Sequence, residues 1–147
     1  MIITKRLEWD MGHRIPNHKS VCRNLHGHRY VVEVALEGEI QTSSGQSNEG
    51  MVLDFGDIKQ LMMKHIHERC DHSFMYSQKD PTMVEFFQKN PDFKSVKVDF
   101  IPTAENIAQW IFRQLEAPLR KTYGQQLRLK SVQVWETPSS SAVISST

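Results

Sequence analysis

The stretch "HGHRYVVEVALEG", residues 26–38, alternates between two kinds of side chain and decides how the chain folds. Its even positions hold His26, His28 and Tyr30 and continue with valine and leucine, whereas its odd positions include arginine and glutamate. Successive side chains of a β-strand point to opposite faces of a sheet, so this pattern predicts a strand with one buried face. Both histidines should therefore point toward the core.

A second strand is predicted over residues 3–13, because one parity there is apolar and the other is charged. The apolar parity ends at His13. If the two strands pair as antiparallel neighbours, three imidazoles converge on the inner side of the sheet near one end, those of His13, His26 and His28.

Three neutral imidazoles in a low-dielectric setting are suitable ligands for Zn²⁺, and three protein ligands with an open fourth position are typical of catalytic zinc. The alternative is that each histidine is a core residue with its own hydrogen-bond partner. The shared face of three histidines favours the metal.

The composition of the chain indicates one globular domain. It has 147 residues, of which 24% are charged, and a formal net charge of +1. Without a basic run, nucleic-acid binding is not expected, and without an apolar run of about 18 residues, neither is a membrane span. The N-terminal segment does not read as a signal peptide, which together with two cysteines favours a cytoplasmic protein with reduced thiols. A Cys22–Cys70 disulfide is the competing interpretation.

Helical signals follow the first two strands. A polar loop over residues 39–50 is followed by "MVLDF", a possible short strand that leads into a helix capped by Asp54. This helix should end near Asp71 and His72. After it, Asp80-Pro81 predicts the start of a short helix, and "VKVDF" (96–100) a short strand.

The C-terminal part should contain a second long helix and two strands. Thr103 is the predicted cap of the helix, Pro118 should kink or end it, and Gly124 marks a stop. Strands are predicted over residues 127–136 and 141–145. The order predicts an α+β fold in which helices cover one face of an antiparallel sheet.

Cys22 lies four residues before His26, and its spacing allows two roles. It could be a fourth metal ligand, which would make the site structural. It could instead lie beside the metal, whose charge would favour the thiolate and make the cysteine a general base. Spacing alone does not separate these roles.

Two further sites contain an acidic residue, the dipeptide Asp71–His72 and Glu136. Asp71 and His72 at the end of the first helix could form a carboxylate–imidazole relay, although a histidine there could simply complement the helix dipole. Glu136 continues the apolar parity of strand 127–136, and a buried carboxylate needs a donating partner. That partner could be a ligand with a guanidine-like edge or an arginine of the protein.

Six short motifs, in this order, resemble the 6-pyruvoyl-tetrahydropterin synthase family, and more closely its bacterial 6-carboxy-tetrahydropterin synthase branch. They are "GHR" (12–14), "C-x-x-x-H-G-H" (22–28), "VLDF" (52–55), "CDHSF" (70–74), "PTAEN" (102–106) and "WET" (135–137). Together they span nearly the whole chain. The segments 39–50 and 75–100 look long for the family.

The resemblance implies a single tunnelling-fold domain over residues 1–147, with ββααββ topology and two helices on one face of the sheet. It also implies homo-oligomers, usually hexamers, in which sheets join into a barrel and sites lie between subunits. The implied zinc ligands are His13, His26 and His28, and the implied catalytic residues are the base Cys22 and the relay Asp71–His72. Glu136 would bind the pterin edge and is also placed in the catalytic relay, while Thr103 and Glu105 would help to seat the ring.

The implied reaction converts 7,8-dihydroneopterin triphosphate to 6-carboxy-5,6,7,8-tetrahydropterin, with loss of acetaldehyde and triphosphate, for 7-deazaguanine (queuosine) synthesis. One alternative is a 6-pyruvoyl-tetrahydropterin synthase or a related pterin lyase with the same site. An alternative of another class is a non-enzymatic interaction domain that zinc stabilises through Cys22 as fourth ligand.

Overall fold

A computed structural model describes residues 1–146 and shows one six-stranded sheet with helices on both sides. In chain order the strands are β1 (Ile2–His13), β2 (His26–Gly38), β3 (Ser73–Ser77), β4 (Ser95–Val98), β5 (Leu127–Thr137) and β6 (Ser140–Ser145). Their order across the sheet is β4-β3-β1-β2-β5-β6.

The central part of the sheet is antiparallel, as predicted, and its register brings the histidines together. β1 pairs with β2 so that His13 lies opposite His26 and Met11 lies opposite His28. β5 pairs with the other side of β2, and β6 with β5. Because side chains alternate along each strand, this register places the three histidines on one face.

Two short strands turn the sheet into a mixed one. β3 pairs in parallel with the end of β1, and β4 pairs in parallel with β3. The sequence analysis missed β3, and the fully antiparallel sheet it predicted is therefore confined to β1, β2, β5 and β6. The short strand predicted for "MVLDF" is not formed, because that segment enters the first helix through bends.

The helices are α1 (Phe55–Met62), α2 (Glu68–Cys70), α3 (Pro81–Lys89) and α4 (Ala104–Tyr123). A π-helical segment, Met63–His67, joins α1 to α2, so the three pieces form one continuous helix. Asp54 caps it by accepting a hydrogen bond from Gly56 N. One fully buried stripe runs along it at intervals of four residues: Ile58, Met62, Ile66 and Cys70.

The long helices cover the face of the sheet that carries the histidines. Their buried side chains pack with Tyr30, Val32 and Val34 of β2 in one core cluster. α3 instead packs through Phe87 against Phe74 and Tyr76. These two residues have the opposite parity on β3 to the core residue Met75, so α3 lies on the other face.

Pro118 was expected to kink or end α4, and α4 does not end there. The helix continues to Tyr123 and stops at Gly124, whose φ of +60° is in the left-handed region. Leu115 and Leu119 on either side of the proline are buried in the core. Their packing therefore outweighs the backbone hydrogen bond that a proline removes. Within residues 1–146, no helix is both long and apolar enough to cross a membrane.

Candidate active site

Three imidazoles form the centre of the candidate site. His13 ends β1, and His26 and His28 begin β2, so the strand register alone brings them together. One ring nitrogen of each lies within 4.8 Å of the others. His13 is completely buried, whereas the other two are partly exposed. The cluster is therefore open to solvent on one side.

Backbone carbonyls fix the orientation of two of these rings. Pro102 O lies 2.7 Å from His13 Nδ1, and Asn24 O lies 2.8 Å from His26 Nδ1. A carbonyl only accepts hydrogen bonds, so Nδ1 carries the proton and the lone pair of Nε2 faces the cluster. This is the arrangement found around metal-binding histidines.

The remaining atoms of the cluster fit a cation. Nε2 of His13 and Nε2 of His28 are buried and have no hydrogen-bond partner in the described part of the chain. Burial lowers the pKa of both His13 and His28, which keeps the imidazoles neutral. Unpartnered buried acceptors are costly, and a bound Zn²⁺ would satisfy them.

Glu136 reaches the same cluster from β5. Its Oε1 atom lies 3.4 Å from His13 Nε2 and 4.0 Å from His28 Nε2, and Tyr30 Oη lies 3.5 Å from it. The side chain is one-quarter exposed, so the carboxylate is accessible rather than sealed in the core. The neighbours of the carboxylate are therefore two imidazoles and a phenol. The arginine of the protein that the sequence analysis considered as its partner is not among them.

Cys22 lies in a short 3₁₀ turn, Val21–Arg23, before β2. Its carbonyl accepts a hydrogen bond from Ile15 N, which ties this turn to the segment after β1. The thiol is free and half-buried, and it is not one of the ligand atoms that lie within 4.8 Å of one another. Cys70 is also free but fully buried, and burial raises its thiol pKa to about 12.

Asp71 and His72 form the predicted carboxylate–imidazole pair. His72 Nδ1 lies 2.8 Å from Asp71 Oδ2, and this contact lowers the pKa of Asp71. The backbone of Asp10 holds both residues, because its N–H donates to Asp71 Oδ1 and its carbonyl accepts from His72 N. His72 has a φ of +55°, a left-handed conformation that is uncommon for a residue other than glycine.

The Asp71–His72 pair lies beside the edge of β1 and is not part of the histidine cluster. It is bound by the backbone N–H and carbonyl of Asp10, which lie in the plane of the sheet. Even so, His72 and His26 line one cleft with the aromatic side chains of α3, and His72 and His28 line another. The pair is thus at the rim of the site, outside the group of imidazoles.

The N-terminus of α4 supports the cluster through its backbone. Thr103 caps this helix by accepting a hydrogen bond from Asn106 N, as predicted, and Glu105 is exposed in the first turn. In the structure of residues 1–146, neither side chain contacts the histidines. The residue that does is Pro102, and sequence reasoning missed its role because any residue type supplies a carbonyl.

Arg14, directly after His13, has a buried partner that the sequence analysis also missed. Arg14 Nε lies 2.9 Å from Oδ2 of Asp80, whose side chain is almost fully buried. Asp80 also caps α3, as predicted, by accepting a hydrogen bond from Met83 N. The end of β1 and the start of α3 are therefore fixed to each other by a charged pair.

Comparisons with known proteins agree on one family. The family model described as 6-pyruvoyl tetrahydropterin synthase matches residues 2–147. The 6-carboxy-5,6,7,8-tetrahydropterin synthase of Haemophilus influenzae is 36% identical over 141 residues, which are 94% of each chain. The protein of the same name from Rickettsia conorii is 38% identical over 135 residues, 92% of this chain and 93% of that one.

Solved structures show the same fold. An uncharacterized protein from Wolinella succinogenes superposes with a TM-score of 0.82 at 26% identity, covering 100% of this chain and 98% of that one. The 6-pyruvoyl tetrahydropterin synthase of Caenorhabditis elegans superposes with a TM-score of 0.69 at 24% identity, covering 100% of this chain and 96% of that one.

Proposed function

Because the chain belongs to the 6-pyruvoyl tetrahydropterin synthase family, we propose that it is a zinc-dependent 6-carboxy-5,6,7,8-tetrahydropterin synthase. Its substrate would be 7,8-dihydroneopterin triphosphate, and acetaldehyde and triphosphate would leave. The observation that carries the proposal is the cluster of three imidazoles, in which the buried Nε2 atoms of His13 and His28 have no hydrogen-bond partner among residues 1–146. The product would serve 7-deazaguanine synthesis.

His13, His26 and His28 would hold the zinc and leave a fourth position for substrate oxygen. Zinc bound there would supply Lewis acidity that makes the carbon-bound hydrogens of the substrate side chain easier to remove. The neutral state of the buried imidazoles and the carbonyl contacts of His13 and His26 support this assignment.

The other side chains would bind the substrate and move protons. Cys22, as thiolate, would remove a carbon-bound proton, and its position outside the ligand cluster supports a base rather than a ligand. His72, held by Asp71, would take or return a proton on the opposite side. Glu136 would accept two N–H donors from the pterin edge, while Thr103 and Glu105 would help to seat the ring.

We also propose that the single domain, residues 1–147, works as a cytoplasmic homo-oligomer, a hexamer with sites between subunits. The Asp71–His72 pair lies outside the imidazole cluster of its own chain, and the His72 side chain is largely exposed. This supports the arrangement, because a neighbouring copy could present its pair to the cluster. The edge strands β4 and β6 have free edges within the chain and could join sheets between copies.

The direct test incubates the zinc-loaded protein with 7,8-dihydroneopterin triphosphate and identifies the products by mass. A 6-carboxy product with acetaldehyde is expected, and Cys22→Ala protein loaded with the same zinc is the matched control. A 6-pyruvoyl product would assign the other activity of the family. No turnover, with zinc lost on Cys22→Ala, would indicate the zinc-stabilised interaction domain instead.

A further inference from the structure

The peptide between Asp71 and His72 has a conformation that a histidine does not favour. Asp71 has a φ of −63° and a ψ of 129°, and His72 has a φ of +55°. These angles are close to those of the two central residues of a type II turn, whose second central position favours glycine or asparagine because φ is positive there. Rotating this peptide by about 180° would give a type I turn, which a histidine accepts without strain. Other contacts must therefore hold the peptide in the less favoured orientation.

Both polar groups of this peptide are held by hydrogen bonds. The N–H of His72 donates to Asp10 O at 2.8 Å, and Lys94 Nζ donates to Asp71 O at 2.6 Å. A flip of the peptide would break both bonds, because it points the N–H and the carbonyl to the opposite sides. The acceptor at Asp10 is a backbone carbonyl, which any residue type supplies, whereas the bond to Asp71 O depends on the ammonium group of Lys94.

Strand pairing brings Lys94 to this position. Phe74 N donates to Lys94 O at 3.2 Å, next to the parallel register in which Phe74 lies opposite Ser95. Lys94 also lines the cleft that contains His26 and His72. It therefore lies at the rim of the candidate site, although none of the six sequence motifs includes it.

We propose that Lys94 is the positioning residue for His72. Its ammonium group holds the carbonyl of Asp71, and so it selects the turn in which His72 Nδ1 lies 2.8 Å from Asp71 Oδ2. A flipped peptide would change the φ of His72 and move its imidazole away from that carboxylate. The inference rests on the proposed function where it assigns His72 to proton transfer, whereas the selection of the turn is a property of the backbone.

Three variants separate the donor from the rest of the side chain. Lys94→Met keeps an unbranched side chain without the donor, and Lys94→Arg keeps a charged donor. Lys97→Met is the matched control, because Lys97 is an exposed lysine on the neighbouring strand β4 and its side chain has no hydrogen bond or ion pair to residues 1–146.

The first measurement is amide hydrogen exchange, recorded by NMR on proteins labelled with ¹⁵N-histidine, and it needs no substrate. The His72 N–H should exchange roughly fivefold faster in Lys94→Met, the scale of one exposed hydrogen bond. Lys94→Arg and Lys97→Met should exchange like wild type, and the other histidine amides should not change. An unchanged rate at His72 in Lys94→Met would overturn the inference.

The second measurement compares denaturant unfolding in two backgrounds. Lys94→Met should shift the unfolding equilibrium roughly fivefold in wild type and much less in His72→Gly, because glycine accepts a positive φ without the help of Lys94. Equal shifts in both backgrounds would make Lys94 a general stabilising contact and overturn the inference.

The third measurement is steady-state turnover of 7,8-dihydroneopterin triphosphate by the zinc-loaded proteins. Lys94→Met should lower kcat roughly fivefold with KM unchanged, since His72 moves a proton and does not bind the substrate, and Lys94→Arg should restore kcat. Faster exchange at His72 with an unchanged kcat would overturn the role of Lys94 in the reaction. If wild type shows no turnover, the proposed function fails, whereas exchange and unfolding still decide whether Lys94 selects the turn.

Discussion

Replacing two of the histidines one at a time should separate metal binding from folding. His13→Ala and His26→Ala should each lose the zinc, because each removes one of three ligands. In the metal-free proteins they should differ. The His13 ring is completely buried, and its removal leaves a cavity and an unpaired carbonyl at Pro102. The His26 ring is partly exposed, and its carbonyl partner is at the exposed residue Asn24.

The magnitude follows from these contacts. An orphaned buried carbonyl costs about 1–3 kcal/mol, and the cavity left by the ring adds to it. We therefore expect metal-free His13→Ala to be about 2–4 kcal/mol less stable than metal-free wild type. For a chain of this size, that is a decrease in Tm of about 6–12 °C. His26→Ala should lie within about 0.5 kcal/mol of wild type, the usual range for an exposed position.

Zinc per chain can be measured by elemental analysis, and stability by thermal unfolding in the presence of a chelator. The chelator is essential, because zinc bound to wild type would raise its Tm by mass action. Full zinc in either variant would refute the ligand set. Equal loss of metal-free stability in both variants would refute the view that the carbonyl of Pro102 depends on His13.

The other expectations concern the groups around the metal. Cys22→Ala should keep its zinc and its Tm while turnover falls by roughly 100-fold or more, and zinc loss would instead make Cys22 a ligand. Glu136→Gln should weaken pterin binding by about 2–4 kcal/mol with unchanged zinc, measured by calorimetry, and wild-type affinity would assign Glu136 a structural role. Asp71→Asn should lower stability mainly above about pH 4. The pKa of Asp71 is lowered from 3.8 by the bond from His72, so this stabilisation is present above 3.8 and is lost as the pH falls through the folded value. Denaturant midpoints of both proteins at pH 6 and pH 3 should converge at the lower pH. Finally, mixed oligomers of Cys22→Ala and His72→Ala chains should recover activity if sites lie between subunits, and no recovery would place each site within one chain.

The alternation of apolar and polar residues along the strands allowed most of the sheet to be predicted. The parity of β1 and β2 was sufficient to place His13, His26 and His28 on one face, because burial leaves only one register for such strands. Glu136 followed from the same rule on β5. These signals are local, and each strand is long enough to show them.

What the sequence did not reveal depends on tertiary packing or on the backbone. β3 has five residues and too few alternations to be distinguished, and it forms because β1 offers it an edge. The continuation of α4 through Pro118 depends on a core that surrounds its leucines. The carbonyls of Pro102 and Asn24 orient the ligands, but no residue type marks them.

The π-helical segment between α1 and α2 makes the length of this helix as important as its composition. Twelve residues of regular α-helix would turn Cys70 about 120° away from Ile58, yet both residues face the core. The wider π turn absorbs this difference, and so it also sets the direction in which Asp71 and His72 leave the helix. The number of residues between the cap at Asp54 and the pair at Asp71 is therefore fixed. The residue types at most exposed positions of this helix are free to vary. A single insertion or deletion in this helix would disconnect the pair from Asp10 without changing any residue of the site.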